Sequence, residues 1–167
     1  MDNRQVLFRE GLTATDLQPT PADLQQLQHL FNLAAFWAQD RRIEDLAIAL
    51  THSKPVISAW DREQLIGFAR ATSDGIYRAT IWDVVIHPDY RGSGLGRKLV
   101  QTVLAHPLVN KVERVYLMTT HQQKFYERIG FEANTSTTMV LNQQLAQQPT
   151  AAVLLQPSTS FHPCRPD

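Results

Sequence analysis

Apolar residues recur along this chain first at helical spacing and then in short alternating runs. Gln5 to Arg9 reads as a first short strand. Beyond it, Leu24, Leu27, Leu30, Phe31, Ala34, Ala35 and Ala38 fall on one face of a helix opened by Pro21, with Thr20 placed to cap it. Ile43, Leu46, Ala47 and Leu50 mark a second, shorter helix that stops near Pro55. Val56 to Trp60, Leu65 to Ala71 and Ala79 to Ile86 are rich in β-branched and aromatic residues, with the turn-forming groups Asp61-Arg62-Glu63 and Ser73-Asp74-Gly75 between them. These predict an antiparallel meander. A glycine-rich stretch after Pro88 then leads into Leu95, Leu99, Val100, Val103 and Leu104, an amphipathic helix that ends before Pro107. Val112 to Met118 reads as a buried strand, Gln122 to Ile129 as a short helix stopped by Gly130, and Met139 to Leu141 as a strand closing the sheet. The predicted order is βααβββαβαβ, an α+β fold built on a mixed sheet flanked by helices.

The pattern breaks near Leu141. From residue 142 to 167, four of the nine prolines appear among Gln, Ser and Thr, and only Val153 to Leu155 forms an apolar run. Residues 1–141 are therefore expected to form the domain and 142–167 a mobile tail, with a terminal strand through Ala152 to Leu155 as the alternative. The length of 167 residues suits one core. Lys and Arg total 16 and are balanced by 16 Asp and Glu, so no basic excess points to nucleic acid. The one cysteine, Cys164, excludes an intramolecular disulfide and a cysteine-based zinc cluster. With no signal-like segment and no long apolar window, a cytoplasmic protein away from membranes is expected. The six histidines, at 29, 52, 87, 106, 121 and 162, show no ligand-like spacing, so no metal is implied.

Candidate chemistry concentrates in the stretch from Ile81 to Arg97. A strand delivers the chain to Arg91, and glycines at 92, 94 and 96 strip side chains from the turn that opens the next helix. Bare amides at a helix N-terminus make an anion site suited to a pyrophosphate, to which Arg91 and Arg97 add charge. Read alone, the same glycines are equally a tight strand-to-helix connection. The stretch lacks the Gly-Lys-Ser/Thr ending of a P-loop, and three antiparallel strands precede it, which a Rossmann fingerprint would not have.

Arg91-x-x-Gly94-x-Gly96, after a Val-rich strand ending at Pro88, resembles the acetyl-coenzyme A motif of the GNAT superfamily of N-acetyltransferases. Phe125-Tyr126-Glu127-Arg128-Ile129-Gly130-Phe131 is similar to that family's FYxxxGF segment, which closes the cofactor site. Leu65 to Gly75 together with Ile81 to Val85 resembles more narrowly the cyanobacterial and plastid branch, which includes serotonin N-acetyltransferase-like enzymes. The resemblance implies a central strand splayed from its neighbour near a bulge, leaving backbone groups of Val84, Val85 and Ile86 to pair with pantetheine like an added strand. It also implies that Gly92, Ser93, Gly94, Leu95 and Gly96 cradle the pyrophosphate between Arg91 and Arg97. Where the family often has an Asn to touch the cofactor this chain has Thr119, so that contact rests on a hydroxyl.

Acetyl transfer to an amine requires a neutral amine, a held oxyanion and a proton for the departing thiolate. By the resemblance, Tyr126 is the thiolate acid and a backbone N–H of Val84 or Val85 holds the oxyanion. Many relatives carry a Glu base on this strand. Here the nearby positions hold Thr80 and Trp82, and Asp83 is the strand's one carboxylate, read either as the base or as a salt-bridged strand residue. His87 and His121 are read as turn and cap residues, and Phe36, Trp37 and Trp60 as core, with an acceptor-pocket wall as their other reading. The implied function is an N-acetyltransferase that carries acetyl from acetyl-coenzyme A to a primary amine, an arylalkylamine or a protein lysine or N-terminal amine, in a ternary complex. The alternative is an idle fold that binds acetyl-coenzyme A as a sensor. The resemblance also allows a homodimer through a sheet edge.

Overall fold

The computed structural model describes residues 6–13, 18–136 and 138–141. The first 132 residues cluster as one compact unit, and the remainder falls in a second. In the first unit, strand β1 (Val6–Glu10) is followed by helices α1 (Pro21–Ala34) and α2 (Ile43–Thr51), joined by a connector that holds one 3-10 turn, Phe36–Ala38. Strands β2 (Val56–Asp61), β3 (Gln64–Ser73) and β4 (Arg78–Ile86) come next, then helix α3 (Leu95–Ala105), strand β5 (Arg114–Tyr116) and helix α4 (Gln123–Glu127). The five strands lie in the order β1-β2-β3-β4-β5, antiparallel up to β4 and parallel between β4 and β5. The parallel step needs a crossover, and α3 supplies it.

Local chemistry explains the element boundaries. Thr20 caps α1 as its sequence predicts: its hydroxyl accepts the Asp23 N–H while the Asp23 carboxylate accepts the Thr20 N–H, with Pro21 opening the helix. In the β3–β4 turn, one Asp74 oxygen accepts the N–H groups of Ile76, Tyr77 and Arg78, which tightens the hairpin.

The sheet separates two apolar clusters. On one face α1 and α2 bury Leu24, Leu27, Leu30, Phe31 and Leu46 against Trp60, Leu65, Phe68 and Val85, with Phe31 meeting Phe68 edge to face at 5.5 Å between ring centres. On the other, Leu99, Val100 and Val103 of α3 cover Ile57, Ala69, Ala71, Ala79 and Ile81. Strand β4 changes sides partway along. Ala79 and Ile81 face α3, yet Val85, of the same parity, packs under α1. The cause is a β-bulge: Phe68 pairs with Val85 but Arg70 with Trp82, so Asp83 and Val84 together oppose Ala69. Asp83 absorbs the extra residue in the left-handed region, at φ 54°. Val84 and Ile86 thereby turn toward the α3 side, where they pack as partly buried residues.

Two expected strands are corrected. The Val112 to Met118 run pairs only over Arg114–Tyr116, because β4 veers away beyond Thr80, the partner of Tyr116. Leu117 remains partly buried, while Met118 is exposed. In the second unit, Met139 to Leu141 form no strand, and all three side chains stand exposed. The expected tail, including Ala152 to Leu155, lies outside the described residues.

Candidate active site

The site is built where β4 leaves β5. Parallel pairing stops at Thr80 and Tyr116, so among the described residues the rest of β4 continues without a paired strand on that side. The His87 N–H donates to the Ile66 carbonyl across the antiparallel ladder. The alternation of an extended strand then turns the backbone groups of Ile86 and Val84 away from β3, into the gap, while those of Val85 face β3. Of the three strand positions expected to meet pantetheine, Val84 and Ile86 turn their backbone to the free side, where the Ile86 carbonyl already accepts from Arg91 Nε, and Val85 does not. Close approach of β3 beneath this segment depends on Gly67, where an added Cβ would lie 2.8 Å from Ile86 Cδ1 and 3.1 Å from Ala59 Cβ.

The glycine loop stands at the end of β4. After a 3-10 turn at Pro88–Tyr90, Gly92 and Gly94 take φ of 78° and 84°, and Gly94 precedes α3 without any side-chain cap on its first-turn amides. A Cβ at Gly92 or Gly94 would meet nothing within 4 Å, so the space over those amides is open. Ser93 turns its hydroxyl back onto the Tyr90 carbonyl at 2.6 Å. Leu95 opens the helix, and Arg97 lies exposed in its first turn. The Arg91 guanidinium spans two elements, with Nε 3.2 Å from the Ile86 carbonyl and Nη2 3.3 Å from the Ala34 carbonyl at the end of α1. Uncapped amides, open space and a flanking cation fit a pyrophosphate, and the freed edge of β4 fits the amide chain of pantetheine.

Helix α4 closes the same corner. The Phe125 ring lies 3.5 Å from a Cβ built on Gly96, and Ile86 Cγ1 lies 3.7 Å from it, so the two sequence motifs and the end of β4 meet there. Tyr126 is wedged edge-on between Phe125 and Phe131, at ring-centre distances of 4.9 and 5.8 Å. Its hydroxyl makes no hydrogen bond among the described residues, and burial pushes it up to about 12. It is therefore a standing proton donor at neutral pH. Thr119 spends a lone pair on the turn into α4, accepting the Gln122 N–H at 3.1 Å.

Asp83 does not face the gap as a free carboxylate. Its Oδ2 accepts from Arg70 Nε at 2.7 Å and from Arg41 Nη1 at 3.0 Å, and its side chain is only 6% exposed. Burial raises its carboxyl, but the hydrogen bonds and charges of the two guanidiniums outweigh burial and hold it below the usual carboxylate range. Arg70 also donates to Ser53, and the Arg41 guanidinium lies over the Phe31 ring. His87 serves the turn, its Nδ1 accepting the Asp89 N–H, and His121 is exposed. Trp60 lies in the core as expected, but Phe36 and Trp37 do not: they stack edge to face at 66% and 50% exposure, on the connector between α1 and α2. What residue-by-residue reading missed is Arg41, whose contact with Asp83 crosses 42 positions.

A sheet opened at a bulge, beside an uncapped glycine turn and a tyrosine without a hydrogen bond among the described residues, is the arrangement that the resemblance to the N-acetyltransferases implies. Residues 23–131 match the Acetyltransferase (GNAT) family, and the chain belongs to it. It is 37% identical over 119 residues, 65% of this chain and 64% of the other, to the protein named uncharacterized N-acetyltransferase ycf52 in Porphyra purpurea. It is 44% identical over 73 residues, 43% of this chain and 28% of the other, to GCN5-related N-acetyltransferase 2, chloroplastic, of Arabidopsis thaliana. Such relatives bear out the resemblance to the plastid branch, although the chain spans less than two thirds of the length of the curated relatives it matches. Among solved structures, the GNAT family acetyltransferase SP0256 of Streptococcus pneumoniae shares the fold, with a TM-score of 0.66 at 21% identity, covering 83% of this chain and 99% of that one.

Proposed function

We propose that this protein transfers the acetyl group of acetyl-coenzyme A to a primary amine by direct attack within a ternary complex. The observation that carries the proposal is the convergence of three elements on one corner: the unpaired edge of β4, the uncapped amides of α3 and helix α4, whose Phe125 packs near Gly96 and which carries Tyr126. Acetyl-coenzyme A supplies the acetyl group as a thioester, a good acyl donor to nitrogen. The amides from Gly92 to Gly96 hold its pyrophosphate, with Arg97 adding positive charge from the first turn of α3. The outward N–H of Val84 stands where a carbonyl oxygen gaining negative charge is stabilised by a fixed donor. Tyr126 donates a hydrogen bond to the departing sulfur. Asp83, committed to two arginines, has little basicity left, so the amine reacts in its neutral form and passes its proton to water.

Release of free thiol from acetyl-coenzyme A tests the proposal, with an arylalkylamine, a lysine side chain and a peptide N-terminus as acceptors and mass spectrometry of the product. Turnover with an acetylated amine supports transfer. Tight binding of acetyl-coenzyme A without turnover would instead leave the protein a sensor.

A further inference from the structure

The connector between α1 and α2 is tied to β4 at both of its ends. At its start, Arg91 bridges the Ala34 carbonyl to the Ile86 carbonyl. At its finish, Arg41 reaches Asp83 in the bulge, and the Arg41 carbonyl is itself held by Gln28 Nε2 at 2.8 Å. Between these ties the connector carries the exposed Phe36–Trp37 pair. Asn32 Oδ1, on the last turn of α1, accepts the N–H of Asp40, a connector residue at φ 58°. The two ties land on residues 83 and 86 of β4, on either side of Val84 and Val85.

The bulge needs such support. Asp83 is a non-glycine residue in the left-handed region, a conformation that costs on the order of 1 kcal/mol and persists only where its surroundings hold it. What holds it is the ion cluster, for the Asp83 carboxylate lies between Arg41 from the connector and Arg70 from β3, the charged groups that face it. The direction of the next amide, that of Val84, depends on the geometry at Asp83.

We infer that Arg41 is a positioning residue for acetyl transfer, which by tying the connector to Asp83 fixes the bulge and so aims the Val84 N–H at the reacting carbonyl. This rests on the proposed function and extends it to a residue outside the glycine loop, the tyrosine helix and the sheet. The cluster acts through backbone geometry and takes no proton from the substrate.

The positioning role and a base role for Asp83 predict opposite behaviour. Removing the Arg41 charge would make a catalytic Asp83 more basic, so Arg41→Gln would shift the acid limb of the kcat/KM profile upward and leave the rate at high pH intact. Under positioning, Arg41→Gln lowers kcat about 10- to 100-fold by the same factor at every pH, with the acid limb unmoved and the KM for acetyl-coenzyme A changed less than about threefold. Arg41→Lys, which keeps the charge, recovers most of the rate. The double variant Arg41→Gln/Asp83→Asn is no slower than the slower single variant, as expected of two residues acting as one unit. Melting temperatures are measured alongside, and kinetics are taken well below them. An Arg41→Gln enzyme with unchanged kcat, or one with a displaced acid limb, overturns the inference. Wild-type protein that turns over no amine overturns the proposed function instead, so the two failures are distinguishable.

Discussion

Replacing Tyr126 by Phe removes one hydroxyl and keeps the ring, which is wedged between Phe125 and Phe131. Burial pushes that hydroxyl up to about 12, whereas a coenzyme A thiol is expected near the ordinary value of about 8.5. Complete proton transfer from the tyrosine to a free thiolate is therefore uphill by roughly 5 kcal/mol. The role proposed for Tyr126 is therefore that of a strong hydrogen-bond donor to sulfur as the C–S bond breaks, with the proton finally taken from water. A hydrogen bond to a charged partner contributes about 1.5–3 kcal/mol, so Tyr126→Phe should lower kcat about 10- to 150-fold. The hydroxyl has no hydrogen-bonding partner among the described residues, so the melting temperature and the affinity for acetyl-coenzyme A should change little. The assay is steady-state thiol release, with affinity and thermal melting as controls. A second arm uses a thioester with a more acidic leaving thiol, for which the deficit should shrink. Because the tyrosine stays protonated below about pH 11, the wild-type rate should show no alkaline loss from it between pH 7 and 10. A Phe variant equally impaired with both thioesters, or a wild-type rate that falls with a midpoint near pH 9, would refute this reasoning.

Gly94→Asp should weaken acetyl-coenzyme A binding about 10- to 100-fold, since the carboxylate competes for the open amides of α3, and should also cost about 1–2 kcal/mol of stability because Gly94 sits at φ 84°; calorimetry with chemical denaturation reads both. The acid limb of kcat/KM should track the pKa of the amine rather than any group of the enzyme, so a series of acceptors of graded basicity should move it one for one, and a fixed limb would return a base to the site. Asp83→Asn should destabilise the protein by about 2–3 kcal/mol at pH 7, as it leaves Arg41 and Arg70 without a counter-charge. Because folding depresses the Asp83 carboxyl, its contribution is complete above the unfolded value of about 3.9 and is lost as pH falls through the lower folded one; urea midpoints for the two proteins should therefore converge only in strong acid. Gly67→Val should cost about 1–3 kcal/mol in chemical denaturation, since its Cβ crowds Ala59 and Ile86.

The elements that depend on their own residues are legible in the sequence. Thr20 with Pro21 and Asp23 carries its helix start in four adjacent letters, and the glycines at 92 and 94 announce a turn that other side chains would strain. The family motifs located the corner where they meet. What escaped depends on partners distant in the chain. Alternation from Ala79 through Ile81 to Val85 reads as one uninterrupted face, yet the bulge at Asp83 reverses it. Nothing near Asp83 tells that Arg41 and Arg70, 42 and 13 positions away, converge on it. Val112 to Met118 is apolar enough for a long strand, but a strand's length is set by its neighbour, and β4 departs after three residues. Phe36 and Trp37 read as core by residue type and stand exposed because the connector turns them outward.

That three-residue ladder has a consequence for how the molecule breathes. Strands β1 to β4 are stitched by long antiparallel pairings between sequence neighbours, whereas among the described residues β5, followed by the tyrosine helix, pairs with β4 only over Arg114, Val115 and Tyr116, with Glu113 tied beside them to Ile76 and Arg78. Opening there breaks few backbone bonds and leaves the layer under α1 and α2 in place, while it uncovers Val115, Phe125 and Tyr126 from the edge of the α3 layer. Amide hydrogens around residues 114–131 should accordingly exchange with deuterium far sooner than those of β2 and β3, in a single local event. Under the proposed function, acetyl-coenzyme A seated against β4 should give these same amides added protection from exchange.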